Sequence, residues 1–198
     1  MGLDPQSRAR FNLEPVRVLL LESTPLGMEI LVQILCGFGA RSIHRAFTVE
    51  KAREIAQTET LDLAIVDAMG ASGEGYEFVT WLRRSGGKPN HAVPVLLTAG
   101  HTPTASVAKA RDCGANFIMR KPLTPISVLE RIVWIGRGGR CFVECDTYSG
   151  PDRRFSNRGV PGGGKGRRRE DIELSGAVPP HLGQEILDDV GSQRKLML

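Results

Sequence analysis

Between residues 16 and 136, short apolar runs alternate with segments of helical period. Residues 16–21 (VRVLLL) form a nearly continuous apolar run, the pattern of a strand buried on both faces. Thr24-Pro25 follows, with threonine placed to cap a helix and proline at its first position. The apolar positions of that helix are Met28, Ile30, Leu31, Ile34 and Leu35, and it ends near Gly37 and Gly39. The same reading predicts a strand over 42–47, a helix over 49–57 capped by Thr48, and a strand over 61–66 (LDLAIV). A helix over 75–84, a strand over 93–98, a helix opened by Thr102-Pro103, a strand over 116–119 and a last helix from Thr124-Pro125 to Ile135 complete the pattern. Five apolar strands alternating with five helices predict a doubly wound α/β domain: a five-stranded parallel sheet, helices on both faces, right-handed crossovers.

After Ile135 that pattern stops. Glycine, arginine, serine and proline dominate to about residue 166 with no helical or strand period, which predicts an extension largely disordered when free. A short helix is predicted at 181–190 (HLGQEILDDV). The expected division is therefore a domain over 14–136 and an Arg/Gly-rich extension over 137–198.

The chain has 198 residues, 41% hydrophobic and 24% charged, enough for one domain with an appendage. No apolar run approaches the ~20 residues of a membrane span, so membrane insertion is not expected. The first ten residues are polar and lack the apolar stretch of a secretory signal, so a cytoplasmic location is expected. Four scattered cysteines (Cys36, Cys113, Cys141, Cys145) do not make a disulfide scaffold, and Cys141/Cys145 have no second pair to complete a zinc site. The net charge of +4 is uneven. Residues 136–169 carry nine basic and three acidic side chains, so that segment holds +6 and the remainder −2. Nine of its 34 residues are glycine. An anion met locally by this segment is the expected partner.

In a doubly wound sheet, ligands sit at the carboxyl ends of the strands. Polar residues stand at the ends of four of the predicted strands: Glu22 with Ser23, Asp67, Thr98, and Lys121 before Pro122. Carboxylates that can hold a divalent cation, one of them a candidate nucleophile, with a hydroxyl and an ammonium for phosphoryl oxygens, suit phosphoryl chemistry. No Walker loop, Gly-x-Ser-x-Gly or HExxH occurs, and the four histidines share no ligand spacing, so an enzyme is not expected.

The motifs LLLES, LAIVDAM, VLLTAG and GANFIMRKP resemble the CheY-like receiver domain of bacterial response regulators, across roughly residues 14–136. The resemblance implies a flavodoxin-like receiver fold, Asp67 as acceptor of a phosphoryl group from a histidine kinase or phosphotransfer protein, and Thr98 and Lys121 beside it. It further implies a weakly held Mg2+ on Glu22, Asp67 and the Met69 carbonyl. Three departures stand out. Ser23 occupies the second acidic position, the loop after Asp67 is one residue longer and lacks the common proline, and Ile118 replaces the switch aromatic. Two readings follow: phosphorylation at Asp67 is retained, or the receiver answers a different input.

The extension offers such an input. Arginine's planar fork pairs with phosphate and with guanine O6 and N7, and it stacks on bases. TYSGPDRRFSNRG, followed by a second arginine cluster, looks like the arginine-rich tail of the Cle proteins, CheY-like proteins that bind cyclic di-GMP and act at the flagellar motor. That resemblance implies Arg153, Arg154, Arg158, Arg167, Arg168 and Arg169 as ligands of cyclic di-GMP, with Asp152 and Asp171 as base partners. Output would then run through a protein partner, the flagellar motor switch being the one implied. The alternative is a stand-alone response regulator switched by Asp67 phosphorylation, with the extension as a linker. A DNA or RNA arm is not expected, because Tyr148 and Phe155 are the only stacking platforms within 146–169.

Overall fold

The computed structural model describes residues 12–69, 72–136 and 140–153, and the backbone of 172–174. Five parallel strands lie in the order β2-β1-β3-β4-β5: β1 Arg17–Leu21, β2 Ser42–Ala46, β3 Leu63–Asp67, β4 Val95–Ala99 and β5 Phe117–Arg120. Between and after them come α1 Pro25–Gly37, α2 Val49–Thr58, α3 Glu74–Ser85, α4 Thr104–Asp112 and α5 Pro125–Gly136. The predicted doubly wound sheet is thus the observed one. Its chain order reverses between β1 and β3, which opens a crevice at their carboxyl ends.

The double burial of the strands explains their unbroken apolar runs. Val18 and Leu20 of β1, Leu63 and Ile65 of β3 and Leu96 of β4 face α1 and α5 in one core layer. Their alternates Leu19, Leu21, Ala64, Val66, Val95 and Leu97 face the second layer with α2 and α3. Several strands begin later than the apolar runs do. Leu61 and Val93 are buried yet precede the ladder, because the runs report burial and not pairing. At the start of β1, Asp62 accepts bonds from the Arg17 amide and guanidinium at 2.9 Å and so pins β1 to β3.

The three Thr-Pro pairs behave differently. Thr24 caps α1, accepting from the Gly27 amide at 3.2 Å. Thr124 and Ser127 bond each other's amides at the start of α5. At α4 the cap is Pro103 and not Thr102; its carbonyl accepts from Ser106 and Val107, and no side-chain cap forms.

The expectation of no strand after Ile135 is overturned. A hairpin, β6 Phe142–Cys145 and β7 Tyr148–Pro151, turns on Asp146-Thr147. β8 Ile172–Leu174 pairs with the other edge of β6, giving a second, antiparallel sheet of order β7-β6-β8. Each strand has only three or four residues, too few for a period to show against a Gly/Arg-rich background. The two-residue link between FVEC and YSGP was the available signal. The hairpin packs on the body at Gly114, where φ is +93° and a Cβ would stand 2.7 Å from the Ser149 carbonyl oxygen. The predicted helix at 181–190 lies outside the described residues.

Candidate functional site

Two places gather chemistry: a pocket at the carboxyl ends of the parallel strands, and the junction between the hairpin and α4.

In the pocket the structure brings together the predicted residues. Glu22 follows β1 and is fully buried; Asp67 ends β3; Lys121 follows β5. The Lys121 ammonium lies 2.6 Å from Glu22 Oε2 and 3.2 Å from Asp67 Oδ1, bridging the two carboxylates. Thr98 pairs with Asp67 in the β3–β4 register, and its buried hydroxyl has no hydrogen-bond partner. Burying an unpaired hydroxyl is costly, so an oxygen-bearing group beside Asp67 is the natural acceptor for it. The sequence reading missed two roles. Ser23 donates to Asp67 Oδ2 at 3.3 Å, and Thr24 gives Glu22 Oε1 its hydroxyl at 2.8 Å and its amide at 3.2 Å. Both follow from one tight turn at the end of β1. Met69 stands at φ +57°, and its carbonyl accepts from the Ser72 hydroxyl at 2.9 Å. Ile118 pairs with Leu97 and packs against the second core layer.

These residues suit a phosphoryl group better than magnesium. Mg2+ demands near-octahedral oxygen ligation. Here the second acidic position is a serine that spends its proton on Asp67, and both oxygens of Glu22 are engaged. Among the described residues no group of three His, Cys, Asp or Glu gathers to hold a metal. The arrangement is not a fitted magnesium centre.

The second place begins with Arg83, on the buried face of α3 one turn after Val79. Its guanidinium is buried and, among the described residues, no carboxylate pairs with it. It donates to the carbonyls of Gly114 at 2.9 Å, His91 at 2.7 Å and Val93 at 2.8 Å. Burial strips its hydration and pulls its pKa down to about 10. The Phe142 ring of β6 lies 5.5 Å from this cation. The i, i+4 spacing from Val79 was the sequence signal for its burial.

Arg140 donates to the carbonyls of Asn116, Ala115 and Asp152, so the extension is tied down where it leaves the body. The Tyr148 hydroxyl donates to the Pro151 carbonyl at 2.6 Å and lies 3.4 Å from that of Arg111 in α4. Burial pushes the Tyr148 pKa up. Arg153, the first of the predicted ligand arginines, lies 4.0 Å over the Tyr148 ring and 3.8 Å from Asp112 at the end of α4. Its side chain remains half exposed. The Asp152 amide donates to the Cys141 carbonyl at 2.7 Å. Arg154, Arg158, Arg167, Arg168, Arg169 and Asp171 lie outside the described residues. Because the sheet is parallel, this junction, built on segments that precede β4 and β5, stands at the opposite end from the pocket.

A family model described as the response regulator receiver domain matches residues 18–133. Solved structures share the fold. A CheY-like receiver domain protein from Methanospirillum hungatei JF-1 is 21% identical with a TM-score of 0.52, over 59% of this chain and 90% of that one. CheY4, a chemotaxis protein of Vibrio cholerae, is 23% identical with a TM-score of 0.52, over 59% and 95%. A response regulator from Thermotoga maritima is 18% identical with a TM-score of 0.52, over 59% and 93%. No curated protein matches the chain. Among the described residues, no helix is long and apolar enough to cross a membrane.

Proposed function

The chain belongs to the response regulator receiver domain family, matched over residues 18–133, and on that premise we propose that its arginine-rich extension binds cyclic di-GMP and thereby controls how the receiver engages a protein partner. It is then a receiver-type module of two-component signalling, not an enzyme, with a ligand input added to the receiver body. The observation that carries the reading is Arg153: half exposed, 4.0 Å over the Tyr148 ring, at the head of a segment dense in arginine. A guanidinium held over a ring can offer its other face to a base, and its long, half-exposed pairing with Asp112 at 3.8 Å can give way to a phosphate. Arg154, Arg158, Arg167, Arg168 and Arg169 would supply further forks, and Asp152 and Asp171 would accept from guanine N1–H and N2–H. Arg153 stands at the last turn of α4, so ligand capture bears directly on that helix. The flagellar motor switch is the partner implied by the likeness of the tail to Cle proteins, and a cytoplasmic location goes with that role.

Titration calorimetry with cyclic di-GMP tests this. Micromolar or tighter binding to the parent chain, lost in Arg153→Ala/Arg154→Ala, is the expected result. No heat with the parent chain refutes it.

A second reading has its own support: a stand-alone response regulator switched at Asp67 by a histidine kinase or phosphotransfer protein. The orphaned Thr98 hydroxyl and the Lys121 ammonium, 3.2 Å from Asp67 Oδ1, could receive phosphoryl oxygens there. Labelling by acetyl phosphate that Asp67→Asn abolishes, in a chain silent to the dinucleotide, favours it.

A further inference from the structure

The pocket holds two carboxylates with four oxygens, and each oxygen has a partner. Glu22 Oε1 accepts from the Thr24 hydroxyl and amide, and Glu22 Oε2 from Lys121 at 2.6 Å. Asp67 Oδ1 faces Lys121 at 3.2 Å, and Asp67 Oδ2 accepts from Ser23 at 3.3 Å. Every one of these partners is supplied by the chain itself.

Glu22 has no room to change this. It is fully buried, and the first turn of α1 passes so close that a Cβ at Gly27 would stand 2.6 Å from Glu22 Cδ and 2.7 Å from Thr24 Oγ1. Thr24 is fixed in turn: its hydroxyl donates to Glu22 while its oxygen accepts from the Gly27 amide. Charge reinforces the point. Two carboxylates and one ammonium leave the cluster at −1, and the third carboxylate that would reward a divalent ion is replaced by Ser23. A metal entering here would have to displace a short ion pair and recruit a hydroxyl that is a poor ligand for it.

We propose that Lys121 is the resident cation of this pocket and that the protein bridges the Glu22–Asp67 pair with it, without a divalent metal. The lysine does by a covalently tethered charge what an exchangeable ion would otherwise do. The state of the pocket is therefore independent of magnesium concentration, and input arrives by another route. This inference stands on the pocket alone and does not depend on what the extension binds.

Mn2+ serves as the probe, its free signal read by electron paramagnetic resonance on the full chain, together with melting curves in Mg2+. The parent chain is expected to deplete no Mn2+ at millimolar concentrations, and its melting temperature should not move with Mg2+. Ser23→Asp restores a carboxylate and Lys121→Gln removes the resident cation; each is expected to bind Mn2+ at least about tenfold tighter than the parent. The two variants fail independently, so misfolding of one leaves the other informative. Submillimolar Mn2+ binding by the parent chain, or a melting temperature that rises with Mg2+, overturns the proposal. So does the absence of any gain in a folded variant, which would mean that neither Ser23 nor Lys121 sets the metal affinity.

Discussion

Replacing Arg83 by methionine keeps most of the aliphatic stem and removes the buried charge. Keeping the guanidinium dry costs about 3 kcal/mol, the equivalent of a pKa brought from 12.5 down to about 10. At neutral pH it is still charged, so its bonds to Gly114, His91 and Val93 offset that cost. Bonds from a charged donor contribute ~1.5–3 kcal/mol each. In the methionine variant the cost disappears with the bonds, but three carbonyls are left unpaired, each carrying a penalty of ~1–3 kcal/mol. The expected net loss is ~3–5 kcal/mol, a large share of an ordinary domain's stability. With a urea m-value of ~2 kcal/mol/M the midpoint falls by about 2 M. The loss should be local first: amides of β6 and β7 exchange faster, because Phe142 has lost the cation beneath it. Arg83→Lys, a point charge without the fork, should fall between the two. A methionine variant within 1 kcal/mol of the parent, with the hairpin still protected, would refute the reasoning.

Acid should weaken the same junction. His91 lies edge-on to Phe142 at 5.6 Å, its ring nitrogens are buried, and desolvation lowers its pKa, with Lys88 and Arg83 adding to the drop and Glu144 and the Pro89 backbone opposing it. Below about pH 6.5 the unfolded chain binds more protons than the folded one, so stability falls as pH drops from there toward the folded pKa. Melting temperatures at pH 7.5 and 5.5 should differ less in His91→Phe than in the parent; equal differences would discount His91. Cysteine reactivity should split by burial. Cys36 and Cys141 are exposed, whereas Cys113 is buried, donates to the Ala110 carbonyl and has its pKa pushed up to about 11 by burial. Iodoacetamide at pH 8 should label Cys36 and Cys141 and leave Cys113 until the chain unfolds, and mass spectrometry reads the sites directly.

The parallel sheet was legible because its strands are buried twice over. Leu19 and Leu20 point to opposite core layers, so the run is apolar at nearly every position. The pocket was legible for the same reason, since polar residues at the ends of such runs have little to do but function. Glu22, Asp67, Thr98 and Lys121 stood out against LLL, AIV, VLL and FIM. The partners of those residues were not legible. Whether Ser23 donates to Asp67, or Thr24 closes on Glu22, depends on the path of one turn, which no periodicity encodes. The hairpin was missed for a different reason. Its strands take their stability from contacts remote in sequence, with Phe142 over Arg83 and Gly150 against Gly114, and not from an apolar pattern of their own. Tyr148 read as one aromatic in a glycine-rich stretch, and its bonds to Pro151 and α4 emerge only in three dimensions.

Hydrogen exchange with and without cyclic di-GMP tests most directly whether signal enters through the extension. The account predicts slower exchange across 140–153 and a changed rate in Thr104–Asp112 on adding the dinucleotide, with the turn at Glu22–Thr24 unaffected and all changes lost in Arg153→Ala/Arg154→Ala. Changes confined to the turn at Glu22–Thr24 and the end of β3, with 140–153 untouched, would contradict it.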